Sequence, residues 1–292
     1  MNSTLHWSRR PFRGQHRVAD AFGRVAEWVT AGRGISHPYP GVELETRLHD
    51  RLQRQMWAGT YETHVRSCLE TLIDEGETIL DVGAHIGVHS VTAAFLCGSR
   101  GRVAAFEPDP DLHRQLRKNL AQFPWAYAIY AAVWERSGDI CFERSATRYD
   151  SASGTVVDIQ DQGKGEIVRV PSIAIDDWAA KFGLGRIGMI KIDACGSEAA
   201  ILRGAIGVVG QHQPILVLAF NGDIPIAAEA NPLAALDLLA QLGYSVFRLS
   251  WQYVETWNAA RHHAPCEILC LPAATEIHAL SKLARAGFVL AT

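Results

Sequence analysis

Asp81-Val82-Gly83-Ala84-His85-Ile86-Gly87, followed by Phe106-Glu107-Pro108-Asp109-Pro110, is the stretch on which the fold reading turns. Thr78-Ile-Leu-Asp-Val82, which leads into it, has the length and apolar character of a strand buried on both faces. Glycines at 83 and 87 then punctuate a turn, where glycine permits positive φ and close approach to the backbone. A helix is predicted from about Val88 to Cys97, a second strand over Arg102–Phe106 and a second helix over Pro110–Gln122. Strands alternating with helices at this spacing argue for a parallel sheet covered by helices on both faces.

Working outward, residues 1–35 read as a polar arm and then a helix over Val18–Thr30, where Ala21, Val25, Trp28 and Val29 recur at helical spacing. Ser36–Gly41 reads as a turn or linker, and residues 43–73 read as helical with a break near Gly59. Residues 1–72 are therefore expected to be an arm and helical cap, and 73–292 the main domain. Tyr127–Val133 is expected to be a third strand. Two alternating segments, Asp139–Glu143 and Glu166–Val170, flank a polar loop from Ser145 to Gly165 and suggest an inserted hairpin or an edge excursion. The rhythm then resumes with a helix in Ile173–Phe182, a strand over Gly188–Asp193 and helical turns over Glu198–Gly210. A strand over Pro214–Phe220, a helix over Pro232–Leu242 and strands over Tyr244–Leu249 and Glu267–Leu271 complete it.

Composition narrows the function classes. The 292 residues are 48 % hydrophobic and 20 % charged, with a formal net charge of −3, so no overall basic field draws nucleic acid. Arg9, Arg10, Arg13, Arg17, Arg24 and Arg33 make only the N-terminal stretch basic. The strongest apolar run, Pro214–Phe220, falls far short of the roughly 18 residues of a membrane span. No signal-peptide pattern opens the chain, so a cytoplasmic protein without nucleic-acid or membrane partners is expected, with a homodimer left open. The six cysteines are scattered without a CxxC pair and read as reduced thiols.

In a doubly wound sheet the C-terminal ends of adjacent strands open onto one crevice. Glu107, twenty residues past Gly87, sits at such an end, where a carboxylate can take both hydroxyls of a ribose. A dinucleotide site favours G-x-G-x-x-G and a pyrophosphate on the helix N-terminus. The spacing here is D-x-G-x-x-x-G, which suits a phosphate-free nucleoside such as S-adenosylmethionine better than NAD.

With Gly59-Thr-Tyr61-Glu62, Leu80–Ser90, Phe106–Pro110, Lys191-Ile-Asp193-Ala-Cys-Gly196-Ser-Glu198 and Leu202-Arg-Gly-Ala205 in this order, the chain from about residue 60 onward resembles the FkbM family of S-adenosylmethionine-dependent O-methyltransferases. The resemblance implies a Rossmann-like, seven-stranded class I methyltransferase sheet of the α/β class, mostly parallel with its last strand antiparallel. It implies methyl transfer to a hydroxyl of a small molecule, often a sugar or a polyketide-like natural product. By position, Asp81, Gly83, Ala84, His85 and Gly87 would line the cofactor, with Glu62 and Pro108 beside them. Glu107 would hold the ribose and Asp193 would stand at the methyl-transfer face. Departures are His85 where the family usually has Asn, and Cys195 and Ala219 where it has Glu. These raise the alternative of a protein that binds the cofactor without turnover.

An alcohol acceptor benefits from a general base. Asp193 and His89 are the two candidates, Asp193 against a role in orienting the cofactor or capping a helix, His89 against a packed helix-face histidine. Lys191 lies in a strand expected to be buried and shares side-chain parity with Asp193, which predicts an ion pair. Glu198 reads as a first-turn helix carboxylate and Cys195 as a small side chain in a tight turn rather than a nucleophile. The run His262-His263-x-x-Cys266-x-x-x-Cys270 is not read as a zinc site, because Cys270 falls inside an apolar strand, and no metal is expected. Trp251, Tyr253 and Trp257 are either core or an aromatic wall for the acceptor.

Overall fold

The computed structural model describes residues 15–146, 154–157, 165–182, 185–220, 233–259, 261–262 and 265–291. The N-terminal arm, most of the Ser145–Gly165 loop and His263 lie outside them.

The first elements are α1 (Gln15–Val29), β1 (Arg33–Tyr39), β2 (Val42–Arg47), α2 (Arg51–Trp57) and α3 (Thr63–Leu72). The segment expected to be a linker and then helix is thus a β-hairpin, with β1 antiparallel to β2. The cause is visible in Val42-Glu-Leu-Glu-Thr-Arg47, where buried Val42, Leu44 and Thr46 alternate with Glu43, Glu45 and Arg47. That period of two belongs to a half-buried strand. Asp50 then starts α2 by accepting a hydrogen bond from the Gln53 amide at 2.9 Å.

The alternating unit follows as β3 (Thr78–Val82), α4 (Val88–Cys97), β4 (Arg102–Phe106), α5 (Pro110–Leu120) and β5 (Ala126–Ile129). All five residues of β3 are buried. Helix α5 begins as its sequence dictates: Pro110 occupies the first turn, and the Asp109 carboxylate accepts from the amides of Asp111 and Leu112 at 2.8 and 3.1 Å. The expected strand Tyr127–Val133 is two elements. After Ile129 the chain leaves the main sheet, and β6 (Ala132–Val133) pairs with β9 (Ile167–Ile173) instead. The apolar run continues through the break because Ala132 packs under Phe142 and Val170. With β7 (Gly138–Glu143) and β8 (Thr155–Val157) these strands make a four-stranded insert ordered β6-β9-β7-β8.

The second half runs α6 (Ile175–Phe182), β10 (Ile187–Ile192), α7 (Glu198–Arg203), α8 (Ile206–His212), β11 (Ile215–Phe220), α9 (Ala234–Gln241), β12 (Tyr244–Ser250), β13 (Tyr253–Thr256), β14 (Cys266–Pro272), α10 (Glu276–Arg285) and β15 (Val289–Ala291). The main sheet is ordered β15-β13-β12-β14-β11-β10-β3-β4-β5. It holds nine strands instead of the seven expected, because β13 folds back on β12 and β15 adds to β13. Strands β3, β4, β5, β10 and β11 are parallel, whereas β14 runs antiparallel between β11 and β12.

Each face of the sheet buries its own core. Ile79, Met189, Val217 and Leu269 face one, and Leu80, Ile190, Leu218 and Ile268 face the other. Phe106 is fully buried in the second and meets Trp178 edge-on at 5.2 Å. Phe106→Ala is expected to cost about 3–5 kcal/mol in urea unfolding. Phe182→Ala, at a 55 % exposed position, is expected to stay within about 0.5 kcal/mol of the parent.

Candidate functional site

The C-terminal ends of β3, β4 and β10 converge on one cleft, lined by Gly83, His85, Glu107, Pro108 and Asp193 among the residues singled out from sequence. Tyr61, Phe142, Thr155, Val156 and Ser197 also line it. The tight approach at Gly83 (φ +75°) is made by the chain itself: a Cβ there would stand 1.9 Å from the Asp193 carbonyl oxygen. Gly87 (φ +92°) has the same kind of need, since a Cβ would meet Leu116 Cδ1 at 2.6 Å. Any side chain at either position would push β10 or α5 away from the turn. Of the other residues assigned to the cofactor from sequence, Ala84 is buried in the core and its amide, like that of Gly83, donates to the Phe106 carbonyl.

Glu107 is 5 % exposed, and both its carboxylate oxygens are held by the backbone. The His85 amide donates to Oε2 at 2.8 Å and the Asp109 amide to Oε1 at 2.9 Å. Each oxygen keeps a further lone pair for a ligand. Burial pushes this carboxyl up to about 8, against the lowering effect of the two amides. Burial also drives the His85 imidazole down to about 4, so its ring is neutral.

Beneath the cleft lies Lys191, 4 % exposed in the middle of the sheet. Its Nζ is 3.3 Å from Asp193 Oδ2, the pair expected from side-chain parity, and 3.9 Å from Asp81 Oδ1. Asp81 is not at the cleft surface: it is 2 % exposed, and its Oδ2 accepts from the Ser90 hydroxyl at 2.5 Å. Burial raises the Asp193 carboxyl, with Lys191 pulling in the opposite direction.

The neighbouring wall comes from the start of α3. Glu62 Oε2 and His89 Nε2 are 2.8 Å apart, and Tyr61 stacks obliquely on the His89 ring at 5.9 Å. Burial would raise the Glu62 carboxyl, but His89 and Lys191 hold it down at about 2. His89 is 5 % exposed and does not line the cleft itself. Three non-glycine residues around the site adopt left-handed backbone, Glu62 (φ 38°), His85 (φ 53°) and Cys195 (φ 47°). Such conformations cost of order 1–3 kcal/mol and gather at ligand sites.

The remaining sequence candidates fall into place as structure. Glu198 opens α7 and accepts from the Gly196 amide at 3.0 Å, with burial lifting its carboxyl to about 7. The carbonyl of Cys195 accepts from the Thr155 hydroxyl at 3.5 Å, so β8 closes over this turn. His262 accepts from the Asn258 amide and stacks on Trp257, and no cluster fit for a metal occurs among the described residues. Trp257 packs edge-on against Phe220 in the core on the face away from Lys191, while Tyr253 is exposed, so neither walls the cleft. Sequence reading missed Tyr61, Ser197 and the insert's contribution to the wall. For Tyr61 the available signal was its adjacency to Glu62.

A glycine turn, a buried carboxylate one strand over and a doubly wound sheet with an antiparallel β14 define a class I methyltransferase. The chain belongs to the FkbM methyltransferase family, whose domain model matches residues 81–246, and it uses S-adenosylmethionine. It is 29 % identical over 194 residues to hexuronic acid methyltransferase AglP of Haloferax volcanii, covering 64 % of this chain and 77 % of that protein. It is 24 % identical over 218 residues to 2-O-methyltransferase NoeI of Sinorhizobium fredii, covering 68 % and 88 %. Among solved structures, FkbM of Methylobacillus flagellatus superposes with a TM-score of 0.44 at 16 % identity, covering 69 % of this chain and 47 % of that chain, about half its length. No helix among the described residues is long and apolar enough to cross a membrane.

Removing Lys191 strands Asp81 and Asp193 together in the sheet. Lys191→Met is expected to cost about 3–5 kcal/mol at pH 8. Without its lysine the buried Asp193 carboxyl stays raised, so the variant's stability is lost as pH rises and the penalty shrinks toward pH 5. Urea midpoints at the two pH values check this.

Proposed function

We propose that the cleft binds S-adenosylmethionine with its ribose diol on Glu107, and that the chain transfers the methyl group to a hydroxyl of a saccharide. The observation that carries the cofactor reading is the Glu107 carboxylate, fixed from behind by two amides and left with lone pairs toward the cleft. The saccharide reading is supported by the relatives, one named for hexuronic acid and the other for 2-O-methylation.

The bound cofactor supplies an electrophilic methyl on a sulfonium, ready for in-line displacement. The protein's task is to align an acceptor oxygen with it and to take the hydroxyl proton. Asp193 lines the cleft and is the base: its carboxylate accepts the proton, and Lys191 steadies the charge it carries beforehand. Glu62 stays ionised and fixes the His89 ring, which makes these two positioning residues. The carboxylates on this wall also suit a cationic sulfonium.

Glu107→Ala removes two charge-assisted hydrogen bonds, each about 1.5–3 kcal/mol, and is expected to weaken S-adenosylmethionine at least ~100-fold in calorimetry. Unchanged affinity overturns the ribose assignment. Because Glu107 sits near 8 and binds the diol as a carboxylate, affinity is expected to fall as pH drops from 9 to 6, with a proton released on binding. Asp193→Asn is expected to lower kcat about 10²–10⁴-fold with the cofactor Kd changed by only a few fold. His89→Gln is expected to lose much less.

A further inference from the structure

Helix α1 turns one side to the protein and leaves the other uncovered. Ala19 and Gly23 are buried on the side that meets α2, where the Arg54 side chain leaves no room for a Cβ on Gly23. Asp20 pairs with Arg54 at 3.2 Å, and the Leu48 carbonyl holds the same guanidinium at 2.8 Å. These contacts fix the rotation of the helix. Its opposite side carries Ala21, Phe22, Val25, Trp28 and Val29, all exposed, with Trp28 at 87 %. Residues three and four apart form one stripe along a helix. Arg17 and Arg24 are exposed along the edge of that stripe, seven residues apart. The two acidic residues of α1, Asp20 and Glu27, lie toward the packed side and are half-buried. The uncovered side is therefore apolar and cationic, with no carboxylate. Over Met1–Arg33 six arginines outnumber these two carboxylates, in a chain whose formal net charge is −3. Positive charge is thus gathered at the end of the chain that carries the stripe.

We propose that α1 is a peripheral docking element that lies on an anionic lipid bilayer, with Phe22, Val25 and Trp28 at the headgroup boundary and Arg17 and Arg24 on lipid phosphates. An apolar stripe edged by arginine matches a surface that is apolar within and negative at its rim. Tryptophan and phenylalanine suit that boundary, and arginine stems run along apolar surface while their heads stay with the phosphates. A second copy of the chain is a poorer match. A 15-residue helix is about 22 Å long and about 10 Å wide, roughly 200 Å² of footprint, against about 800 Å² per partner in a stable dimer. Self-pairing would also bring the arginine edge to its own copy, because a two-fold interface uses the same patch twice. Whole-chain charge and span length, from which no membrane partner is expected, do not register a face of this size. One short helix makes the attachment reversible.

The test is co-sedimentation of the full chain with sucrose-loaded vesicles, either phosphatidylcholine alone or equal parts phosphatidylcholine and phosphatidylserine. The chain is expected to bind the mixed vesicles in ~0.1 M salt, and at least ~10 times more weakly in ~0.5 M salt or on phosphatidylcholine alone. Arg17→Gln with Arg24→Gln is expected to weaken binding to the mixed vesicles about 30-fold, and Val25→Ser with Trp28→Ser at least ~10-fold. Both variants are expected to keep the parent's affinity for S-adenosylhomocysteine, which shows that they fold. A parent that does not sediment with the mixed vesicles, equal binding to both compositions, or a folded Val25→Ser, Trp28→Ser chain that binds like the parent overturns the proposal. A dimer in light scattering that Trp28→Ser dissociates, in a chain that ignores vesicles, would give the stripe to a second copy and overturn it as well.

Discussion

A lysine ammonium inside a parallel sheet sets the conditions for everything above it. Lys191 is flanked on the neighbouring strand by Asp81 and along its own strand by Asp193. A buried charge is tolerated only when paired. The two aspartates must therefore sit at these register positions, which ties the end of β10 to the end of β3. The Asp193 carbonyl then lies against Gly83, and the turn has no space for a side chain. Charge pairing below and backbone contact above together leave the Asp193 carboxylate facing the cleft.

Much of this was legible in the residues. Continuous apolar runs marked the buried strands, Asp109-Pro110 marked the start of α5, and shared parity linked Lys191 to Asp193. What escaped reading had identifiable causes. The β1–β2 hairpin was hidden because Arg- and Glu-rich alternation resembles a polar helix unless its period is counted. The split between β5 and β6 was hidden because Ala131-Ala132-Val133 stays apolar while changing sheets. Gly83 was legible as a position needing glycine, and the protein group that stands against it is the Asp193 carbonyl.

The site also shows how an acidic surface can coexist with neutral chemistry. Burial lifts the carboxyls of Glu107 and Glu198 toward neutrality, while the His89 partner keeps Glu62 ionised. Carboxyl groups brought to one site from distant parts of the chain therefore divide according to whether a cation faces them or burial outweighs the amides they accept from.

The insert is fastened to this machinery through one guanidinium. Arg144, at the end of β7, bonds Asp109 at 2.8 Å, Asp111 at 2.6 Å and Glu166 at 2.9 Å. Asp109 is the same residue that caps α5 and whose amide holds Glu107. The grip of the small sheet and the amide that holds Glu107 thus meet at a single residue. Because one residue serves both, a substitution at Asp109 that loosened the insert would also disturb the turn that holds Glu107.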